Sequence, residues 1–94
     1  MKLKEVKTYF LICGSLQSTY FLDINLYKQG ECKKYYTNGL LCNSLNYKDD
    51  KLHGECKWYT TDGDVRKKQY FENDIDITEQ VLLKRKKLKM IKGI

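Results

Sequence analysis

Apolar and aromatic side chains in the middle of this chain fall in short runs closed by turn residues, not at helical spacing. Glu31–Tyr36 is ended by Asn38-Gly39, and Glu55–Thr60 by Asp62-Gly63. Asn-Gly and Asp-Gly are strong hairpin signals, because a type I′ turn needs positive φ at both central residues. A second strand follows each turn, at Leu40–Tyr47 and Val65–Phe71. In the first of these Leu41, Leu45 and Tyr47 alternate onto one face. The segment 48–53 turns the chain back, and Gly54, like Gly30, opens the next strand where a Cβ does not fit. The period changes at Asp76. Asp76-x-x-Glu79 fits a helix capping box, with Thr78 a rival N-cap, and Ile77, Val81, Leu88 and Ile91 recur at helical spacing. Gly93 stands where such a helix would stop.

The hairpins are copies of one unit. Gly30–Gly39 set above Gly54–Gly63 matches at seven of ten positions, an offset of 24 residues. The offset persists downstream, where Leu41 meets Val65, Tyr47 meets Phe71 and Asp50 meets Asp74. Residues 1–29 are a poorer copy: Tyr9–Leu11, a turn near Gly14-Ser15 and Thr19–Ile24 fit the later register only with a one-residue shift. Terminal repeats are often atypical because one side of them faces water. The predicted fold is therefore all-β with a C-terminal helix, tandem antiparallel hairpins in a single elongated twisted sheet. Residues 1–29 form a degenerate hairpin cap, 30–53 and 54–76 the two repeats, and 77–94 a basic helix laid over the open sheet edge.

Composition refines this picture. Ninety-four residues suit one domain of modest stability, a limit that repeats ease because each unit buries its apolar face on its neighbours. Aromatics make up 13% of the chain, eight of them Tyr, and Pro and Ala are absent, a balance that suits an AT-rich genome. Lys2, Lys4 and Lys7 precede an apolar patch at Tyr9–Cys13 too short for a secretory signal, and no segment has the length of a membrane span. Cys13, Cys32, Cys42 and Cys56 are accordingly read as reduced thiols of an intracellular protein. The net charge of +6 is local. Residues 1–79 hold twelve basic and twelve acidic side chains, and the excess is Lys84, Arg85, Lys86, Lys87, Lys89 and Lys92.

The run Tyr47-Lys48-Asp49-Asp50-Lys51-Leu52-His53-Gly54 to Gly63 resembles the MORN-repeat family, in the variant form found in bacteria and giant DNA viruses, with a pattern near Tyr-x-x-x-x-Leu-x-Gly-x-x-x-x-Tyr-x-x-x-Gly. Gly30–Gly39 matches its second half; the resemblance is weak over 1–29 and ends after 76. It implies stacked hairpins with an aromatic-lined groove and a scaffold or interaction role, without catalytic residues. Phospholipid binding has been proposed for some members, and some bacterial relatives are labelled antitoxin components.

The cysteines lack a Cys-x-x-Cys knuckle, and Cys32 and Cys56 are explained as small apolar residues of the repeat, so no metal or cofactor is expected. One His, with no nucleophile–base cluster and no phosphate loop, argues against an enzyme and a small-molecule substrate. Asp49-Asp50 is read as a turn. Two surfaces remain. Tyr35, Tyr36, Trp58, Tyr59 and Tyr70 are candidate contacts for another protein, against the alternative that such aromatics are the packing spine of the sheet. Lys84, Arg85, Lys86, Lys87, Lys89 and Lys92 are candidate contacts for an anionic lipid or nucleic acid, against a solvated capping helix. The leading function is a protein-interaction or scaffolding module. The alternatives are anionic-surface binding, a neutralising antitoxin-like partner or a viral structural component. The oligomeric state is left open.

Overall fold

The computed structural model describes residues 2–92, with side chains from Lys2 to Lys87. Eight antiparallel strands build one open sheet: β1 (Lys4–Tyr9), β2 (Leu16–Leu22), β3 (Gly30–Tyr35), β4 (Leu41–Lys48), β5 (Lys51–Leu52), β6 (Gly54–Tyr59), β7 (Val65–Glu72) and β8 (Ile75–Asp76). Helix α1 (Thr78–Lys92) follows. Strand order follows chain order, with short β5 pairing to the end of β4 and β6 continuing the sheet. The predicted hairpin array with a C-terminal helix is thus the observed fold. Its radius of gyration is 16.2 Å, against about 12 Å for a compact chain of this length. The molecule is a slab of 55 × 36 × 19 Å.

Three hairpins share one plan. β1–β2, β3–β4 and β6–β7 each carry a bulge at the same place, after Thr8, Lys34 and Trp58. The extra residue lies on the returning strand, at Gln17, Cys42 and Arg66. Leu41 therefore pairs with Tyr35 and falls on the face opposite Leu45 and Tyr47, against the alternation expected of the three. The one-residue shift expected of the first hairpin has a simple origin. Its tip holds four residues, Leu11–Gly14, between the bonded pair Phe10 and Ser15, where the later tips hold three. Its link to the next hairpin is also one residue longer. Both additions sit in loops, so the strands keep their alternation.

The turn chemistry differs from expectation. Gly39 and Gly63 have positive φ (88° and 96°), but Asn38 and Asp62 do not. Gly39 N–H donates to the Tyr36 carbonyl and Tyr36 N–H to Leu40, which makes a three-residue loop ending in a left-handed glycine. Asn38 serves another purpose. Its side chain accepts the Leu40 N–H at 2.9 Å and donates to the Thr61 carbonyl of the next tip at 3.0 Å. The two-residue turns with positive φ at both positions are Asp49-Asp50 (50° and 69°) and Asn73-Asp74 (49° and 69°), joining β4 to β5 and β7 to β8. Asp and Asn tolerate this region better than other side-chain-bearing residues.

These tight turns clasp one hairpin to the next. Asp50 N–H donates to the Lys28 carbonyl at 3.0 Å, and its carboxylate accepts the Lys28 N–H at 3.0 Å. Asp74 repeats the clasp on Leu52, at 2.9 and 2.7 Å. Each aspartate closes a two-bond ring on one backbone residue 22 positions earlier.

The end of the array follows the same register. Gln29, His53 and Ile77 each donate their N–H across the hairpin link, to Phe21, Asn46 and Tyr70. The next residue is Gly30, Gly54 or Thr78. Both glycines take positive φ (79° and 103°) and start a strand. It is this backbone conformation that calls for glycine and not the expected lack of room, since an added Cβ would meet nothing within 4 Å at Gly30 and only Asn46 Cβ at 3.6 Å at Gly54. Thr78 starts the helix. Its hydroxyl donates to Asp76 Oδ1 at 2.5 Å and accepts the Tyr70 N–H at 2.9 Å, while its own N–H donates to Asp76 Oδ1. These Thr78 bonds hold the Asp76 carboxyl below its ordinary pKa. The capping box predicted from Asp76 and Glu79 is therefore realised as an Asp76–Thr78 cap. Of the predicted helical stripe, Ile77 and Val81 are half-buried, and Leu88, Ile91 and Gly93 lie outside the described side chains.

Replacing Asp50 by Ala removes the carboxylate half of the clasp and places an Ala at φ 69°. The expected loss is about 1–2 kcal/mol in urea unfolding. Asp50→Asn keeps an acceptor and the tolerance for positive φ, so it should retain most of that stability. Equal losses in the two variants would show that charge, not the clasp geometry, is what matters there.

Candidate functional site

Alternation along the strands separates two faces of different chemistry. On one face a Glu-x-Lys-x-Tyr pattern recurs in β1, β3 and β6, as Glu5-Lys7-Tyr9, Glu31-Lys33-Tyr35 and Glu55-Lys57-Tyr59. Residues two apart on a strand share a face, and each Lys reaches its Glu, at 3.8, 3.3 and 3.1 Å. The pairs are one-third to one-half exposed and add little stability. Glu31 is further held by the buried Ser44 hydroxyl, which donates to its Oε2 at 2.6 Å. That bond is the main cause of a carboxyl pKa below the ordinary value.

The opposite face is aromatic. Cys32 and Cys56 lie at its centre, 2% and 0% exposed. Desolvation raises both thiol pKa values, so they are poor nucleophiles. Around them Tyr20, Leu45, Tyr47, Trp58 and Phe71 are half-buried. The Lys28 ammonium lies 5.2 Å from the Tyr20 ring centre and 5.1 Å from that of Tyr47, clamped between two hairpins. Lys67 sits 5.4 Å from the Trp58 ring centre. Such contacts are worth roughly 0.5–1 kcal/mol at exposed sites and more when desolvated.

The five aromatics singled out in the sequence do not form one patch. Trp58 belongs to the aromatic face, whereas Tyr35 and Tyr59 are half-buried on the ion-pair face. Tyr36 binds one repeat to the next, its hydroxyl donating to the Tyr59 carbonyl at 2.6 Å. Tyr70 is 7% exposed and engaged on all sides, so it is a structural post and not a free contact. Its hydroxyl donates to Glu55 at 3.1 Å and accepts from Arg85 Nη1 at 2.7 Å, and the guanidinium lies 4.7 Å from its ring centre. Lys68 completes the cluster, 3.4 Å from Glu55. Sequence reasoning left Tyr20 and Lys28 out of the candidate site. Their signal was the alternation of Ser18, Tyr20 and Leu22, which lay in the segment treated as a cap.

Arg85 is therefore the pin that fixes α1 to the sheet, not a free cation of the tail. Lys84, Lys86 and Lys87 are exposed, and the Lys89 and Lys92 side chains lie outside those described. The helix covers the sheet edge only in part. Leu82 and Leu83 stay 54% and 55% exposed, and Val65 to Lys68 of β7 remain open. Among the described residues no three His, Cys, Asp or Glu side chains gather as metal ligands, and His53 Nδ1 is buried without a protein partner. Comparison with protein-family models, curated proteins and solved structures finds no match.

Two outcomes test this description. Tyr70→Phe keeps the ring but removes both hydroxyl bonds. The expected cost is about 1–2 kcal/mol, with hydrogen exchange accelerated in α1 and unchanged in β1–β2. Ser44→Ala returns the Glu31 carboxyl toward its ordinary pKa. A depressed carboxylate pKa gives stability that is present above the unfolded pKa and lost as pH falls through the folded one. The gap in unfolding free energy between wild type and Ser44→Ala should thus be widest above about pH 5 and narrow on acidification.

Proposed function

We propose that this chain is a non-enzymatic repeat module that binds another protein through its aromatic face, in the manner of a MORN-type scaffold. One observation carries the reading. The strand positions of that face from β1 to β7 hold Lys4, Lys34 and Lys67, the last over the Trp58 ring, together with the half-buried aromatics, and all the carboxylates of these strands stand on the other face. A half-exposed aromatic row flanked by ammonium groups suits a partner that presents apolar and acidic side chains. Aromatic side chains are enriched among the residues that carry binding energy at interfaces.

A second reading has its own support. Arg66, Lys67 and Lys68 are exposed on β7, and α1, which packs on β7, adds exposed Lys84, Lys86 and Lys87. This basic end of the molecule suits an anionic lipid surface or nucleic acid, by salt-dependent and sequence-indifferent attraction.

Co-purification from the native source separates the two. A partner held through the aromatic face should survive high salt, weaken by about 30-fold on Trp58→Ala and tolerate Tyr59→Ala on the opposite face. Retention on heparin or anionic vesicles that disappears when residues 80–94 are deleted would favour the basic end instead. Indifference to both changes would exclude both readings.

A further inference from the structure

We infer that the outer edge of β1 is a self-association surface, and that its occupant is the β1 strand of a second copy of this chain, paired antiparallel about a twofold axis through Val6. The two ends of the sheet are treated differently. At the far end Ile77 and Thr78 take up the Tyr70 backbone groups and α1 packs on β7. At the near end β1 is terminal in the strand order, and among the described residues it pairs with β2 alone. A terminal strand presents a row of backbone donors and acceptors suited to pairing with another strand.

The sequence of β1 is complementary to itself in one register. A twofold axis perpendicular to the sheet keeps each face continuous, so residues paired across it must share a face. With Val6 opposite Val6 of the second copy, Glu5 faces Lys7 and Lys7 faces Glu5. On the same face Leu3 meets Tyr9, and on the other Lys4 meets Thr8. Sliding by two residues puts Glu5 against Glu5 in one direction and Lys7 against Lys7 in the other. Opposite charges directly across an antiparallel pair are favourable and like charges unfavourable, so only the Val6 register is supported.

The ends of the strand add apolar contacts. Leu3 and Tyr9 are 43% and 55% exposed. Beyond Tyr9 the four-residue tip carries Leu11 and Ile12, both fully exposed, where the later tips carry Thr37-Asn38 and Thr61-Asp62. Beyond Leu3 lies a second apolar group, Ile24 and Leu26, 92% and 72% exposed. Antiparallel pairing brings the tip of each copy to the Leu3–Ile24–Leu26 end of the other, twice by symmetry. The interface is isologous, the commonest kind in homodimers, and it uses the β1 edge of both copies. The other end of the sheet is covered in part by α1, and its open stretch carries Arg66, Lys67 and Lys68, which lack the self-complementary Glu–Lys pattern. A six-residue strand pair is small, so the dimer should be concentration-dependent.

The test is sedimentation of the full chain over a dilution series, with charge variants. Wild type should approach twice the 11.2 kDa chain mass and dissociate on dilution. Glu5→Lys and Lys7→Glu should each weaken association by about tenfold or more, and the double variant Glu5→Lys/Lys7→Glu should restore it. A monomer at every concentration overturns the inference. So does a dimer indifferent to the single reversals, a double variant that fails to recover while folded by circular dichroism, or growth into larger polymers. Should the variants misfold, hydrogen exchange of wild type still decides. Amides of Lys4–Tyr9 should slow as concentration rises, and unchanged exchange there refutes the pairing.

Discussion

A sheet one layer thick has little interior, and how its hairpins hold to one another is the constraint on which this molecule depends. Among the described residues the buried apolar side chains are Cys32, Cys56 and Tyr70, far fewer than a two-layer domain of this length would bury. Cohesion between repeats therefore rests on backbone pairing and on the aspartate clasps. Asp50 and Asp74 each hold both polar groups of one residue in the preceding hairpin, which fixes spacing and register together. The tips add a second line of attachment through Tyr36 and Asn38. A repeat joined at base and tip needs only small side chains between, and cysteine fills that place where a larger residue would push the aromatics apart.

The same register explains where the array stops. A glycine with positive φ follows the link residue at Gly30 and Gly54, and the chain there enters a new strand. At the equivalent place Thr78 has a Cβ and a hydroxyl. A β-branched residue is strongly disfavoured at positive φ, while a hydroxyl beside Asp76 is well suited to start a helix. One position decides between another hairpin and a cap. Tyr70 then fixes the helix, because the Arg85 guanidinium both stacks on its ring and bonds its hydroxyl.

Much of this was legible in the sequence because the repeat is written in residues whose physical preferences are strong. The offset of 24, the turn glycines and the change of period at Asp76 pointed to a hairpin array with a terminal helix. Asn38-Gly39 misled for an instructive reason. The glycine does need positive φ, but Asn38 is there for its amide, which reaches the next tip. The type I′ geometry belongs to Asp49-Asp50 and Asn73-Asp74, pairs without glycine whose signal is weaker by turn statistics alone. The first hairpin was partly hidden because single-residue additions in two loops change the offset, even though Glu5, Lys7 and Tyr9 repeat the later strands. The role of Tyr70 was not legible at all. Its burial depends on where α1 lands, and nothing local to Gln69-Tyr70-Phe71 specifies that.

The division of charge between the faces follows from period and repeat together. Glu and Lys stand two residues apart in β1, β3 and β6, so alternation places every such pair on one side. The register runs from Lys7 to Thr19, Lys33, Ser44 and Lys57 across neighbouring strands, so the side is the same in each hairpin. The opposite side inherits lysines without carboxylates, beside its aromatics. No single residue creates that asymmetry. Copying a short pattern accounts for the Glu–Lys pairs, whereas Lys4, Lys34 and Lys67 stand at unlike repeat positions, held elsewhere by Gly30 and Gly54, by Thr8 and Trp58, and by Ser18 and Asn43. Two surfaces of contrasting character are thus obtained from one sheet without a second layer to build either of them. The terminal strand, with Glu5 and Lys7 presented along an edge, carries the same pattern to a place where a second sheet can meet it.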